Sequence, residues 1–265
     1  MASQVDPDLQ TLYITDESTP KPAVNTKYPR IYGHLLCPYV EKARIAFAAR
    51  GIQYQSVEVD LGKKTPWHLA INGGLVPVLE LPDGTIINES KIIMEFAEEA
   101  YPGSGFSLLP EDPVARAKVR AGSLLLDGFN AAYFPIYLKK TYDEADFVKL
   151  RDSIQKIENF LSAHAKEGSP FALGTPAPNQ LDTHIYAHLE RLAMLKDSGL
   201  HWVWEHSHLE SYPHILKLLA AFRETPAFSN GRVLANPKPW REFIGKMAEK
   251  PPGERVQLYL PISNE

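Results

Sequence analysis

The sequence predicts two units of different class: a mixed α/β unit in the order β-α-β-α-β-β-α, then a unit made of helices alone. Three observations predict it. Strand-like and helix-like segments alternate up to residue 103 and strand patterns then disappear. A hairpin reads out of Val78-Leu79-Glu80-Leu81, the turn Pro82-Asp83-Gly84, and Thr85-Ile86-Ile87-Asn88. Beyond residue 113, apolar residues recur at the spacing of one buried helix face.

Taken in order, residues 1–27 are polar, contain Thr19-Pro20-Lys21-Pro22, and read as an N-terminal extension with little regular structure. A strand follows at 30–32. Residues 38–50 have helical composition, open with Pro38 where a missing N–H costs nothing, and stop at Gly51, a good left-handed cap. Residues 54–61 alternate, with Val57, Val59 and Leu61 on one face, and predict a strand. A short helix is expected over 66–71 before Asn72-Gly73-Gly74, then the hairpin, then a helix over 90–100 closed by Tyr101-Pro102-Gly103. This order is the thioredoxin-like arrangement, in a domain spanning 28–103. Residues 104–112 read as a linker, and 113–265 as an all-helical domain with helices at 115–137, 147–165, 181–195, 214–222 and 240–247. There is no internal repeat and no low-complexity tract.

Bulk properties narrow the function. A formal net charge of −4 gives no reason to expect a nucleic-acid partner. A single cysteine excludes an internal disulfide framework and fits a reducing compartment. The first residues carry Asp6, Asp8, Asp16 and Glu17 without an apolar core, unlike a signal peptide, and no apolar run is long enough to span a bilayer. A soluble, cytoplasmic protein without stable membrane insertion is expected.

The lone cysteine carries the chemistry. Cys37 sits where the first strand turns into the first helix, in Ile31-Tyr32-Gly33-His34-Leu35-Leu36-Cys37-Pro38-Tyr39. Its sulfur is expected to face the unpaired N–H groups of the helix start, where the dipole favours a thiolate. Val40 stands where a dithiol site would have its second cysteine. A lone reactive cysteine needs an outside thiol to finish a redox cycle, and glutathione is the obvious supply.

At this point the chain resembles the cytosolic glutathione transferases, and within them the omega class. The resemblance covers nearly everything after residue 28 and is carried by Cys37-Pro38-Tyr39-Val40-Glu41-Lys42-Ala43-Arg44, Gly74-Leu75-Val76-Pro77-Val78-Leu79, Asn88-Glu89-Ser90, Glu98-Glu99-Ala100-Tyr101-Pro102-Gly103 and Leu189-Glu190-Arg191-Leu192. The Pro-containing extension is also an omega-class habit. The resemblance implies a glutathione transferase fold and a glutathione site. Val76, before a cis Pro77, would pair through its backbone with the tripeptide's cysteinyl unit. Ser90 and the helix N–H groups would take a carboxylate, and Glu89 the neighbouring ammonium. Lys64, or the adjacent Lys63, would reach the glycine end, and Tyr39 would pack on the tripeptide. Phe129, Tyr133, Arg191 and Trp240 match stretches lining the second-substrate pocket. Asn179-Gln180-Leu181-Asp182 resembles the family's buried N-capping box, an element of folding.

The implied activity is a glutathione-dependent thiol transferase or dehydroascorbate reductase working through a Cys37–glutathione mixed disulfide, with glutathione as co-substrate and a homodimer as assembly. Two alternatives stand beside it: a specialised glutathione-dependent synthase or isomerase on the same fold, and a non-catalytic ligand-binding protein of the chloride-channel-like kind. Departures from the family pattern fall at His34, Val40, Lys42 and Met247. Each sharp reading has a bland one. A cysteine is often buried filler, Glu89-Ser90 alone is only a helix cap, and Arg191 alone is a solvated helix residue. His34 either assists Cys37 or points away. The run from His201 to His208, with His214, matches no standard zinc spacing and reads as aromatic packing with exposed imidazoles, so no metal site is expected.

Overall fold

The computed structural model describes residues 6–140, 143–225, 231 and 238–254. Residues 6–106, with 231, 238 and 239, form one compact unit; residues 107–225 and 240–254 form the other.

The first unit is built on a five-stranded sheet in the order β1-β3-β2-β4-β5. Its strands are β1 (Leu12–Ile14), β2 (Arg30–Gly33), β3 (Gln55–Val59), β4 (Val78–Glu80) and β5 (Ile86–Asn88). β1 and β2 run parallel to β3; β4 is antiparallel to both β2 and β5. Parallel β2 and β3 are joined by helix α1 (Pro38–Ala49), because a parallel pair needs a crossover where an antiparallel pair can use a tight turn. Side-chain alternation gives the sheet two faces. Ile14, Tyr32, Val57, Val59 and Val78 share one, and Trp67 and Ile71 of α2 (Pro66–Asn72) pack on it. Ser56 and Glu58 project from the other toward Arg44 of α1. Helix α3 (Ser90–Ala100) packs beside α1.

Local sequence explains the helix ends. α1 opens with Pro38 and closes in a Schellman motif, with Gly51 at φ +66°, its N–H donating to Ala48 and the Ile52 N–H to Phe47. Every residue of α1 except Tyr39 and Ala48 is buried. α2 is capped by the Thr65 hydroxyl at its start and by Gly73 at φ +58° at its end.

The expected N-terminal extension carries two short elements among its described residues, 6–27. Pro7–Leu9 form a 3-10 turn, and Leu12–Ile14 add an edge strand in register with Val57–Val59. A three-residue strand between polar flanks is too short to show a period, and its partner lies far along the chain. Ile14 is 2% exposed, which alone contributes about 1.5–3 kcal/mol of burial. The rest of the segment is tied down by polar contacts. Trp67 Nε1 donates to the Thr19 carbonyl at 2.9 Å, Arg30 to the Ala23 carbonyl at 2.8 Å, and Lys21 lies 2.6 Å from the Glu80 carboxylate.

The second unit is helical: α4 (Pro113–Ser123), α5 (Leu125–Lys139), α6 (Glu144–Ala163), α7 (Gln180–Ala193), α8 (His201–Ser207), α9 (Pro213–Arg223) and, from Trp240 onward, α10 (Lys238–Glu249). Asp112 and Asp143 cap α4 and α6 by accepting the N–H groups of Ala115 and Asp146. α7 is buried from Gln180 to Leu192 and packs against α4, α5 and α9. Its capping box is formed as expected: the Asn179 carboxamide accepts the Leu181 N–H at 2.9 Å, and the Asp182 carboxylate accepts those of Asn179 and Ala172, each at 2.7 Å. The single helix expected over 115–137 is two helices. They meet at Leu124, where the bonds tighten to i→i−3: Leu124 N–H to Ala121 and Asp127 N–H to Leu124. Leu124 keeps helical dihedrals, so apolar spacing runs on across the break. The histidine-rich run is α8 and the turn after it.

Candidate active site

Register brings the predicted residues to one end of the first sheet. Val78, at the start of β4, pairs with Tyr32 near the end of β2 on one side and with Asn88 at the end of β5 on the other. The segments following β2 and β5 and the one preceding β4 therefore emerge side by side, about 4.8 Å per strand apart. They carry Cys37, Glu89-Ser90 and Val76-Pro77.

Cys37 is the N-cap of α1, with extended φ −76° and ψ 122°, and is 6% exposed. Its N–H donates to the His34 carbonyl at 2.9 Å, and its carbonyl accepts the Glu41 N–H at 3.0 Å. The sulfur thus stands at the positive end of α1. The turn depends on Gly33, where an added Cβ would lie 2.4 Å from Val40 Cγ1. Val40 is wholly buried against that glycine, so the position of a resolving cysteine is filled by packing. His34 is also buried, and its Nδ1 accepts the Leu36 N–H at 3.1 Å. Its ring shapes the turn that presents Cys37.

Beneath α1 lies a buried ion pair. Arg44 Nη2 reaches Glu58 Oε1 at 2.5 Å and Ser56 Oγ at 2.8 Å. Burial works against both charges, yet mutual attraction wins. Arg44 is held above the ordinary arginine value by Glu58, with help from Tyr54 and Cys37. Glu58 is held below the usual carboxylate range by Arg44, Ser56 and His34. Tyr39 is half-buried, with the Lys42 ammonium 4.8 Å from its ring centre.

The Val76-Pro77 bond is cis. Among the described residues, Val76 makes no main-chain hydrogen bond. Glu89 is exposed and is the N-cap of α3 in a rare backbone conformation for a non-glycine residue, φ 70° and ψ 114°. Ser90 is buried at the first helical position. The two candidate lysines separate. The stem of Lys64 lies over Gly74, whose φ is +68° and whose added Cβ would meet Lys64 Cδ at 2.5 Å. That runs Lys64 along the turn leading to Val76, whereas the charge of Lys63 bears on Asp16. Sequence reasoning missed His68. It is wholly buried in α2, with Nε2 3.0 Å from the Leu75 carbonyl oxygen. The available signal was a histidine on a short helix whose Asn72-Gly73-Gly74 end folds back over it.

In the second unit, Phe129 and Tyr133 of α5 stack with centroids 5.1 Å apart. The Arg191 guanidinium of α7 lies 5.6 Å from the Trp240 ring of α10. All four are buried, so Arg191 is not a solvated helix residue; it also donates to the Ala187 carbonyl. In the histidine run, His206 bonds the Trp202 carbonyl and His214 the Glu158 carboxylate. Among the described residues, no group of three or more side chains could hold a metal ion, and no helix is long and apolar enough to cross a membrane.

A thioredoxin-like unit followed by a helical unit is the glutathione transferase fold, and the cysteine at the first helix start and the cis-proline are residues on which the chain resembles that family. The family model described as "Glutathione S-transferase, N-terminal domain" matches residues 36–100. Glutathione S-transferase omega-1 of Sus scrofa is 29% identical over 203 residues, 76% of this chain and 78% of that protein. Pyrimidodiazepine synthase of Drosophila melanogaster is 28% identical over 75% of this chain and 78% of its own. Among solved structures, Leishmania TDR1, titled a unique trimeric glutathione transferase, aligns with a TM-score of 0.69 and 26% identity over 84% of this chain and 49% of that one. Over these spans the chain is similar to omega-class glutathione transferases, and its first unit matches the glutathione transferase N-terminal domain.

Proposed function

We propose that this chain is a glutathione-dependent thiol transferase of the omega type, with Cys37 as nucleophile. The observation that carries the reading is the monothiol at the α1 N-cap, flanked at the same sheet end by Val76-Pro77 and Glu89-Ser90. Cys37 thiolate attacks the glutathione sulfur of a mixed disulfide; the Cys37–glutathione bond forms as the substrate's sulfur leaves and takes a proton from solvent. A second glutathione thiolate attacks the bound glutathione sulfur, giving oxidised glutathione and regenerating Cys37. With dehydroascorbate as acceptor, two glutathiones supply the two electrons and two protons.

The tripeptide lies along Val76 and Pro77, its γ-glutamyl end at Glu89 and Ser90, its glycine end at Lys64, with Tyr39 against it. Phe129, Tyr133, Arg191 and Trp240 shape the second-substrate pocket. The protein works in the cytoplasm as a homodimer. Intact mass tests the cycle. Oxidised glutathione is expected to add one glutathione to Cys37, and reduced glutathione to remove it; a protein that takes up none loses this mechanism. A second reading, a specialised synthase using the same Cys37, is favoured by the likeness to pyrimidodiazepine synthase. Turnover across acceptor classes separates the two.

A further inference from the structure

His68 has no part in the reaction just described, yet it bonds to the start of α2 once and to the turn between α2 and β4 twice. Its N–H donates to the Thr65 hydroxyl at 3.3 Å, its carbonyl accepts the Gly74 N–H at 3.2 Å, and its ring Nε2 lies 3.0 Å from the Leu75 oxygen. A carbonyl can only accept, so Nε2 carries the proton. The ring is wholly buried and Nδ1 has no hydrogen-bond partner among the described residues, so Nε2 to Leu75 is the hydrogen bond the imidazole makes there. Burial does not anchor Leu75, whose side chain is 60% exposed.

The consequence follows from peptide geometry. The Leu75–Val76 bond is trans, and a trans peptide is a rigid plane in which the C=O and the next N–H point in opposite directions. With the Leu75 carbonyl fixed on His68, the Val76 N–H is aimed away from α2. We propose that His68 is a positioning residue for the tripeptide: by holding the Leu75 carbonyl it presents the Val76 N–H for pairing with an extended peptide. The inference rests on the glutathione reading above, since its object is the Val76 pairing.

Calorimetric titration of reduced glutathione into wild type, His68→Phe, His68→Gln and His68→Asn tests it. Gln reaches as far as Nε2 and can donate to Leu75; Asn is too short, and Phe has no donor. Phe and Asn are expected to raise Kd about 2- to 12-fold, the loss of one hydrogen bond, with Gln close to wild type. The turnover number at saturating glutathione and the rate of Cys37 alkylation by iodoacetamide without glutathione stay unchanged, which a general loosening of the fold would not allow. Wild-type affinity in folded His68→Phe overturns the role of His68 alone. Should that variant fail to fold, equal affinities for the Gln and Asn variants overturn it. No glutathione binding by the wild type overturns the glutathione reading and this inference together.

Discussion

The two units carry their candidate binding residues by different means. In the first, main chain sets the candidates: a helix start at Cys37, the backbone of Val76, which makes no main-chain hydrogen bond among the described residues, and a strained N-cap at Glu89 before Ser90. In the second, side chains do it alone: Phe129 on Tyr133, Arg191 on Trp240. A site made of backbone constrains the sequence through its turns, caps and prolines, whereas one made of helix side chains fits many residue types. The tripeptide end of the reaction should therefore resist substitution by chemistry, and the second-substrate end should tolerate it and change specificity.

The largest expected effect lies at the cysteine. On the proposed mechanism, in which Cys37 is the nucleophile, Cys37→Ala is predicted to lower glutathione-dependent disulfide reduction at least about 1000-fold while glutathione binding by calorimetry stays near wild type. Reductase turnover retained in that variant would end the mechanism. Next comes Asp182→Ala. It strands the Ala172 and Asn179 N–H groups in a buried site and should cost about 2–4 kcal/mol in urea unfolding. Because this carboxylate serves folding, glutathione affinity of the folded variant should be unchanged, and a change would erase the distinction between the units. Ser90→Ala should weaken glutathione binding at least about 10-fold, the loss of one hydrogen bond to a charged group. Arg191→Met is predicted to alter KM for the second substrate and leave that for glutathione alone; the reverse would break the comparison outright.

The smallest effect is a pH dependence. Burial holds the His68 pKa below its ordinary value of 6.5, and the Lys64 charge adds to this, against the pull of the Leu75 carbonyl. The unfolded chain then takes up this proton first as pH falls, so stability declines on the acid side of 6.5. The difference in thermal midpoint between wild type and His68→Gln should shift against wild type as pH is lowered through that value.

Legibility in the sequence followed the same division. The elements of the first unit from β2 onward could be read because alternation, Pro38 at the start of α1, and Gly51 and Gly73 at helix ends are local signals. β1 was hidden because three residues carry no period and their partner strand is remote. The break at Leu124 was hidden because its dihedrals stay helical, and α8 because aromatic and imidazole groups masked its spacing. Cys37, Val76 and Ser90 stand out as breaks in pattern. The contact of His68 with Leu75, and the different courses of Lys64 and Lys63, depend on how a short helix and a left-handed glycine fold a turn, which no spacing in the sequence records.

The strand β1 has one further consequence. Without it, β3 would offer its outer row of N–H and C=O groups to any extended chain that met it, an open invitation to edge-to-edge aggregation. Leu12–Ile14 occupy that row opposite Val57–Val59 and leave in its place an edge only three residues long, too short to recruit another strand. The N-terminal segment thus acts as a built-in guard against self-association of the sheet.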